Sequence, residues 1–287
     1  MLQKIIMTTV TAALLTTAAY AETKWEVTNL EQPESAVFDA KRDQVIVSNI
    51  SGHPFEADGK GFLSLIAASG EVKNLNWVEG LNAPKGLAIM GDKVFVSDLT
   101  QLHIIDLETG ALEQSLTAEG AVFLNDVAAS DDTVWISDMM THTIWVYKDG
   151  TLSPFLTDAT NLSHPNGLFF DGDRLVVGTW GVGMKDDFST DTLGSLVSVD
   201  LESKAITPIA GAENIGNLDG VIRIDDTFVV NDWINGKVFA VAPNEPAKEV
   251  AQYPQGLADI ASNGTDVYMP MMMDGKMFVV DGTAWLK

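Results

Sequence analysis

Glu34, Lys85, Asn125, Asn166, Asp219 and Ala258 stand at equivalent points of a repeated pattern, 51, 40, 41, 53 and 39 residues apart. Four of them bring a side-chain oxygen: the carboxylates of Glu34 and Asp219 and the amides of Asn125 and Asn166. Gathered around one axis, that set suits a hard divalent cation, calcium first. Calcium accepts carboxylate and amide oxygens at loose geometry and takes water in its remaining positions. Zinc suits the set less well, because no histidine or cysteine falls at any of the six points. A second reading stays open: Asn166-Gly167 and Asp219-Gly220 are also turn-forming pairs. Glu34, which is not a turn residue, argues against that reading.

The elements that position these residues follow from the repeat itself. The segments 33–49, 84–98, 124–138, 165–179, 218–232 and 257–270 each hold a short apolar strand, a tight Asp/Gly/Asn turn and a second strand rich in β-formers. Two more strand-like runs follow, as at Thr143–Lys148 and Thr151–Leu156, joined by Asp149-Gly150. Four antiparallel strands repeated six times describe an all-β, six-bladed β-propeller, in which the equivalent residues line one central channel. The last repeat supplies only three strands. The spare run Lys24–Leu30 is expected to serve as its outer strand and to close the ring without an open sheet edge. Residues 22–287 thus read as a single domain.

Residues 1–21 are of another kind. Lys4 precedes the mostly apolar run Ile5–Leu15, and Ala19-Tyr20-Ala21 offers small residues for cleavage before Glu22. This reads as a secretory signal, and the run is too short for the ~20 residues of a membrane span. The expected location is therefore periplasmic or secreted, with no membrane attachment after cleavage. There is no cysteine, which excludes disulfides and thiolate metal sites. The net charge of −23 becomes −24 when Lys4 leaves with the leader. Such a field disfavours nucleic acid and anionic lipid and favours cations. A small-molecule ligand is the partner that a propeller channel implies. Phosphate-binding glycine loops and the Gly-x-Ser-x-Gly elbow are absent from the sequence.

Two repeats are longer than the rest, and the extra residues fall at Ser51–Gly61 and Gly181–Gly194, each after the second strand of its unit. Opposite blades of a six-fold ring would then send two loops over the same channel mouth, a usual place for function. His53 lies in the first loop and is a candidate catalytic base; Trp180 opens the second and is a candidate substrate contact. Asn49, Asp98, Asp138 and Asp232 end second strands on the same face.

Pro33-Glu34-Ser35, Leu124-Asn125-Asp126, Pro165-Asn166-Gly167 and Leu218-Asp219-Gly220, spaced blade by blade, resemble the SMP-30/gluconolactonase/luciferin-regenerating-enzyme-like propellers, with paraoxonases as more distant relatives. The resemblance extends over essentially the whole chain after the leader. It implies metal binding by the residues at Glu34, Asn166 and Asp219, with Asn125 beside the ion or substrate and Asp219 also catalytic. It further implies hydrolysis of lactones or other esters; a binding or scaffold propeller with a structural ion is the rival expectation. Sugar-lactonase members carry an arginine two residues before the asparagine matched by Asn125, and here that residue is Phe123. A substrate less polar than a sugar lactone is expected.

Overall fold

The computed structural model describes residues 21–286, so the leader lies outside the described residues except for Ala21. Six four-stranded antiparallel sheets form the blades of a β-propeller, and a further two-stranded ribbon joins Gly181–Val182 to Thr192–Leu193. Blades one to five run in chain order from the inner strand outward, and their inner strands are Pro33–Asp39, Pro84–Met90, Leu124–Ala129, Pro165–Asp171 and Leu218–Ile224. Blade six combines Ala261–Ser262, Asp266–Met271 and Lys276–Asp281 with the N-terminal strand Thr23–Thr28 on its outer edge. The expected closure by the N-terminal strand is therefore present, with Glu26 opposite Phe278 and Val27 opposite Met277.

Period-two alternation in the second strands sorts their side chains between neighbouring blades. In Gln44–Asn49, Val45 and Val47 pack towards blade six while Ile46 packs towards blade two. In Thr133–Asp138, Val134 and Ile136 face blade two and Trp135 faces blade four. Six apolar clusters result, one at each interface between adjacent blades. Both faces of a second strand are covered, which is why these strands read as nearly continuous β-branched runs rather than as half-polar ones. Each fully buried Val, Leu or Ile contributes about 1.5–3 kcal/mol to this frame.

The inner strand of blade six is the least regular. The sequence predicts it over Leu257–Ala261, and pairing with Asp266–Met271 is present from its start: Leu257 bridges Met271 and Ala258 N donates to Pro270 O at 3.0 Å, while the continuous ladder begins at Ala261. Between these points Asp259 N donates instead to Glu34 O at 2.9 Å, across the seam to blade one. Asn231 Nδ2 of blade five donates to Leu257 O at 2.7 Å and to Ala258 O at 3.2 Å. The segment is thus tied both into its own sheet and sideways into the ring. Among the described residues no helix is long and apolar enough to cross a membrane.

Candidate functional site in the channel

A β-bulge marks the ring position in five of the six blades. Register shifts fall between Pro33 and Ala36, Pro84 and Leu87, Leu124 and Val127, Pro165 and Leu168, and Leu218 and Val221. A bulge adds a residue to one strand and re-aims its side chain. Here it turns Glu34, Lys85, Asn125, Asn166 and Asp219 into one cavity of about 300 Å³. Second-strand serines hold the bulges: Ser48 Oγ accepts from Ser35 N at 3.0 Å, and Ser137 Oγ accepts from Asp126 N at 2.9 Å. The residue after the ring position lies where adjacent inner strands nearly touch. A Cβ on Gly167 would sit 1.7 Å from Asp219 O, and one on Gly220 would sit 2.2 Å from Ile260 N. Glycine is required at both places by close approach, not by turn geometry.

Burial governs the electrostatics of the ring. Asn166 Nδ2 donates to Asp219 Oδ1 at 2.8 Å and to Leu218 O at 3.2 Å. That leaves Asn166 Oδ1 buried with no hydrogen-bond partner, and Glu34 Oε2 is in the same condition. An unpartnered buried oxygen costs about 1–3 kcal/mol, more when charged. Desolvation, and then the Asp259 carboxylate, push the Glu34 carboxyl up to about 8. Desolvation, and then Glu34 and Asp259, hold Asp219 well above the usual carboxylate range. Two strained carboxyls and a bare amide oxygen at the floor of one cavity fit a hard cation. Among the described residues no three His, Cys, Asp or Glu side chains form a metal cluster. The donor chemistry is accordingly that of mixed carboxylate and amide oxygens, with Asn125 lining the same cavity.

A second layer lies one residue further along the inner strands. Ser35 Oγ donates to Asp259 Oδ2 at 2.5 Å, and Leu168 N donates to Asp126 Oδ2 at 2.5 Å. Burial pushes the Asp259 carboxyl up to about 7, opposed by its bonds with Ser35 and Asp126. These groups tie blades together beneath the cavity.

The mouth is aromatic. The two long loops do meet above the channel: Phe55 from the first stacks on Phe123 with centroids 4.4 Å apart and lies 6.0 Å from Phe188 of the second. Trp180 lines the cavity and donates from Nε1 to Phe188 O at 2.8 Å, and its ring lies 6.2 Å from Trp233. Asp138 accepts from the N–H of Val122 at 3.0 Å and of Phe123 at 3.1 Å, which fixes the backbone that carries the Phe123 ring. Asp98 grips Asn82 N and Ala83 N in the same way, each at 2.7 Å, and Asn49 Oδ1 accepts from Glu31 N at 3.1 Å. Asp232 caps a turn through Ile234 N and Asn235 N. The polar residues that end the second strands are therefore anchors of the loops before or after them.

Of the residues singled out in the sequence, Glu34, Phe123, Asn125, Asn166, Trp180 and Asp219 come together at the cavity. His53 does not: it is exposed, its ring 6.0 Å from that of Phe55, and it is Phe55 that the loop delivers to the opening. None of the four histidines of the chain lines the cavity. His103 is held by Asp98 and Ser115, while the rings of His142 and His164 lie 4.4 Å apart outside the cavity. Phe55, Phe188, Trp233 and Met139 belong to the site without a sequence signal that selects them. Lys85 was placed in the ring by register alone, and the structure adds that it is fully enclosed there.

The fold and channel are those of a six-bladed propeller with a built central site, and known structures share this architecture. The chain is similar to a candidate gluconolactonase at 17% identity, covering 91% of each chain with a TM-score of 0.66. It is similar to virginiamycin B lyase of Staphylococcus aureus, with quinupristin, at 14% identity, covering 89% of this chain and 98% of that one with a TM-score of 0.56. A chain of a nidogen/laminin complex matches at 15% identity over 79% of this chain and 92% of that one, with a TM-score of 0.60. At these identities the likeness is one of fold. No protein-family model and no curated protein matches the sequence.

Proposed function

We propose that the chain is an exported hydrolase of lactones or other esters that works with one divalent ion, calcium by its donor set. Glu34, Asn125, Asn166 and Asp219 would hold the ion. When bound, it would polarise the scissile carbonyl and stabilise the negative charge that develops on its oxygen, worth several kcal/mol. Asp219, oriented by its bond from Asn166, would take the proton of the attacking water and return it to the leaving oxygen. Asn125 would lie beside the substrate. Phe55, Phe123, Trp180 and Phe188 would seat an apolar body and keep bulk water out, which strengthens every polar interaction below them.

The observation that carries this reading is the pair of unpartnered oxygens, Glu34 Oε2 and Asn166 Oδ1, at the floor of an aromatic-walled cavity. The likeness to a candidate gluconolactonase supports it as well. Among the neighbours, virginiamycin B lyase has a histidine-to-alanine variant that is catalytically inactive. The lack of any histidine at this cavity favours a carboxylate and an ion over a histidine-based lyase reaction. Export is supported by the three-part pattern at Lys4, Ile5–Leu15 and Ala19–Ala21. The test is a panel of lactones and aryl esters assayed with calcium and with chelator. Turnover that chelator abolishes, and that Asp219→Asn lowers by at least ~100-fold, supports the proposal. Tight ligand binding without turnover of any member would replace it by a binding propeller.

A further inference from the structure

Lys85 is the only buried lysine among the described residues, 1% exposed in the wall of the cavity. A buried ammonium is costly unless it is paired or put to use. Eight of the other lysines form ion pairs at the surface, whereas Lys85 has no carboxylate within 4 Å among the described residues. Its partners are two backbone carbonyls, Ala83 O at 2.9 Å and Pro54 O at 3.3 Å, and the face of Phe123 with Nζ 4.4 Å from the ring centroid. Carbonyl oxygens and an aromatic face both favour a cation. An ammonium has three donors, and two are taken, so one is left for a ligand.

The position gives that donor a use. The Lys85 ammonium lies over the Phe123 ring at the cavity wall, delivered from the neighbouring blade. It presents one point charge with one free donor rather than a planar fork. Much of the remaining wall is Phe55, Trp180, Phe188, Trp233 and Met139, which offers apolar surface, and the lining, which also includes Gln32, Gln255 and Asp187, holds no further cation. Once Glu34 and Asp219 serve a divalent ion, Lys85 is the one cation left in the wall, with the exposed Asp187 of the second loop as the remaining carboxylate of the lining.

We propose that Lys85 is a specificity residue that selects small amphiphilic substrates: an apolar or aromatic body bearing one carboxylate remote from the bond that is cleaved. The cavity volume of about 300 Å³ sets the size at the small end of ligand pockets. This rests on the hydrolase reading for what happens to the bound molecule, but not for the binding itself.

The experiment measures binding, so that the two readings fail separately. Titration calorimetry of the calcium-loaded chain compares 4-phenylbutyrate with 4-phenylbutyramide, which differ only in the anionic group. The expected result is at least ~10-fold tighter binding of the carboxylate, a preference that Lys85→Met reduces to within ~3-fold and Lys85→Arg retains. If Lys85→Met does not fold, Lys85→Gln serves in its place. Equal affinities in the parent, a preference that survives the loss of Lys85, or no binding of either ligand up to ~10 mM overturns the proposal. Carboxylate binding through Lys85 without hydrolysis of any ester would leave this proposal standing and sink the hydrolase reading. Ester turnover without a carboxylate preference would do the reverse.

Discussion

Asn166 donates from Nδ2 to Asp219 Oδ1 at 2.8 Å, and by doing so leaves its own carbonyl oxygen buried without a hydrogen-bond partner. The two residues are 53 positions apart and sit on adjacent inner strands, each at a bulge. One bond thereby fixes the amide orientation beside the Asp219 carboxylate. Asn166→Asp would replace this donor with a second carboxylate at the same distance. In chelator at pH 8 that variant should melt at least ~3 °C below the parent, because like charges in a buried site repel. Excess calcium should recover most of the loss, since binding to the native state alone raises the midpoint. Thermal unfolding in the two buffers reads both effects.

The pH dependence of stability follows from the carboxyl layer below the cavity. The Asp259 carboxyl lies at about 7 when folded, chiefly through burial, against an unfolded value of ~3.9. Between these values the folded chain binds the extra proton, so stability is greatest below the lower value and declines as pH rises to about 7. One such group contributes a slope of up to ~1.4 kcal/mol per pH unit. Asp126 is shifted in the same direction, also by burial first. Melting in chelator should therefore fall from pH 5 to pH 7.5, and Asp259→Asn should make that fall shallower by at least ~2 °C. An identical decline in parent and variant would show that Asp259 titrates as an ordinary surface carboxylate.

The loops over the channel meet through Phe55 and Phe188. Phe55 is 39% exposed, so its loss removes little from any core. Replacing both rings by alanine should raise KM for a phenyl ester by about tenfold while shifting the melting temperature by less than ~3 °C. Steady-state kinetics alongside a melt would separate a lid role from a folding role. A large melting loss with unchanged KM would assign the rings to structure alone.

Phe123 bears on substrate choice. Burying a sugar's hydroxyls against a phenyl ring leaves them unpaired, at about 1–3 kcal/mol each. Apolar esters or lactones should therefore be preferred over gluconolactone by at least ~10-fold in kcat/KM. Because Lys85 Nζ lies 4.4 Å from the Phe123 ring centroid, a guanidinium introduced by Phe123→Arg would meet an ammonium. The preference should narrow more in Phe123→Arg combined with Lys85→Met than in Phe123→Arg alone.

The frame was legible because propeller blades repeat their constraints. Turn pairs such as Asp149-Gly150, and the buried runs of the second strands, recur at nearly constant spacing. Register alone places Glu34, Asn125, Asn166 and Asp219 at one level, and all four line the cavity. The bulges that aim them were not legible, since a bulge depends on the partner strand and on side chains such as Ser48 and Ser137. Within the two long loops the sequence drew attention to His53, whereas Phe55 occupies the opening. A loop's position follows from strand order, but which of its side chains turns inward depends on packing. Here that packing is the stack of Phe55 on Phe123. The sideways bonds of the blade-six inner segment escaped for the same reason, because the partners Glu34 and Asn231 lie in other blades.

The proposed chemistry requires an ion held by the ring, and calcium titration of the chelator-treated chain from Glu22 onward tests this most directly. Calorimetry should show one calcium per chain, weakened at least ~10-fold by Glu34→Gln, which removes a ligand charge at nearly constant volume. Asp132→Asn, in an outer turn where Asp132 pairs with Lys148, should bind as the parent does. No calcium uptake by the parent, or equal affinity in the parent and Glu34→Gln, would contradict the account.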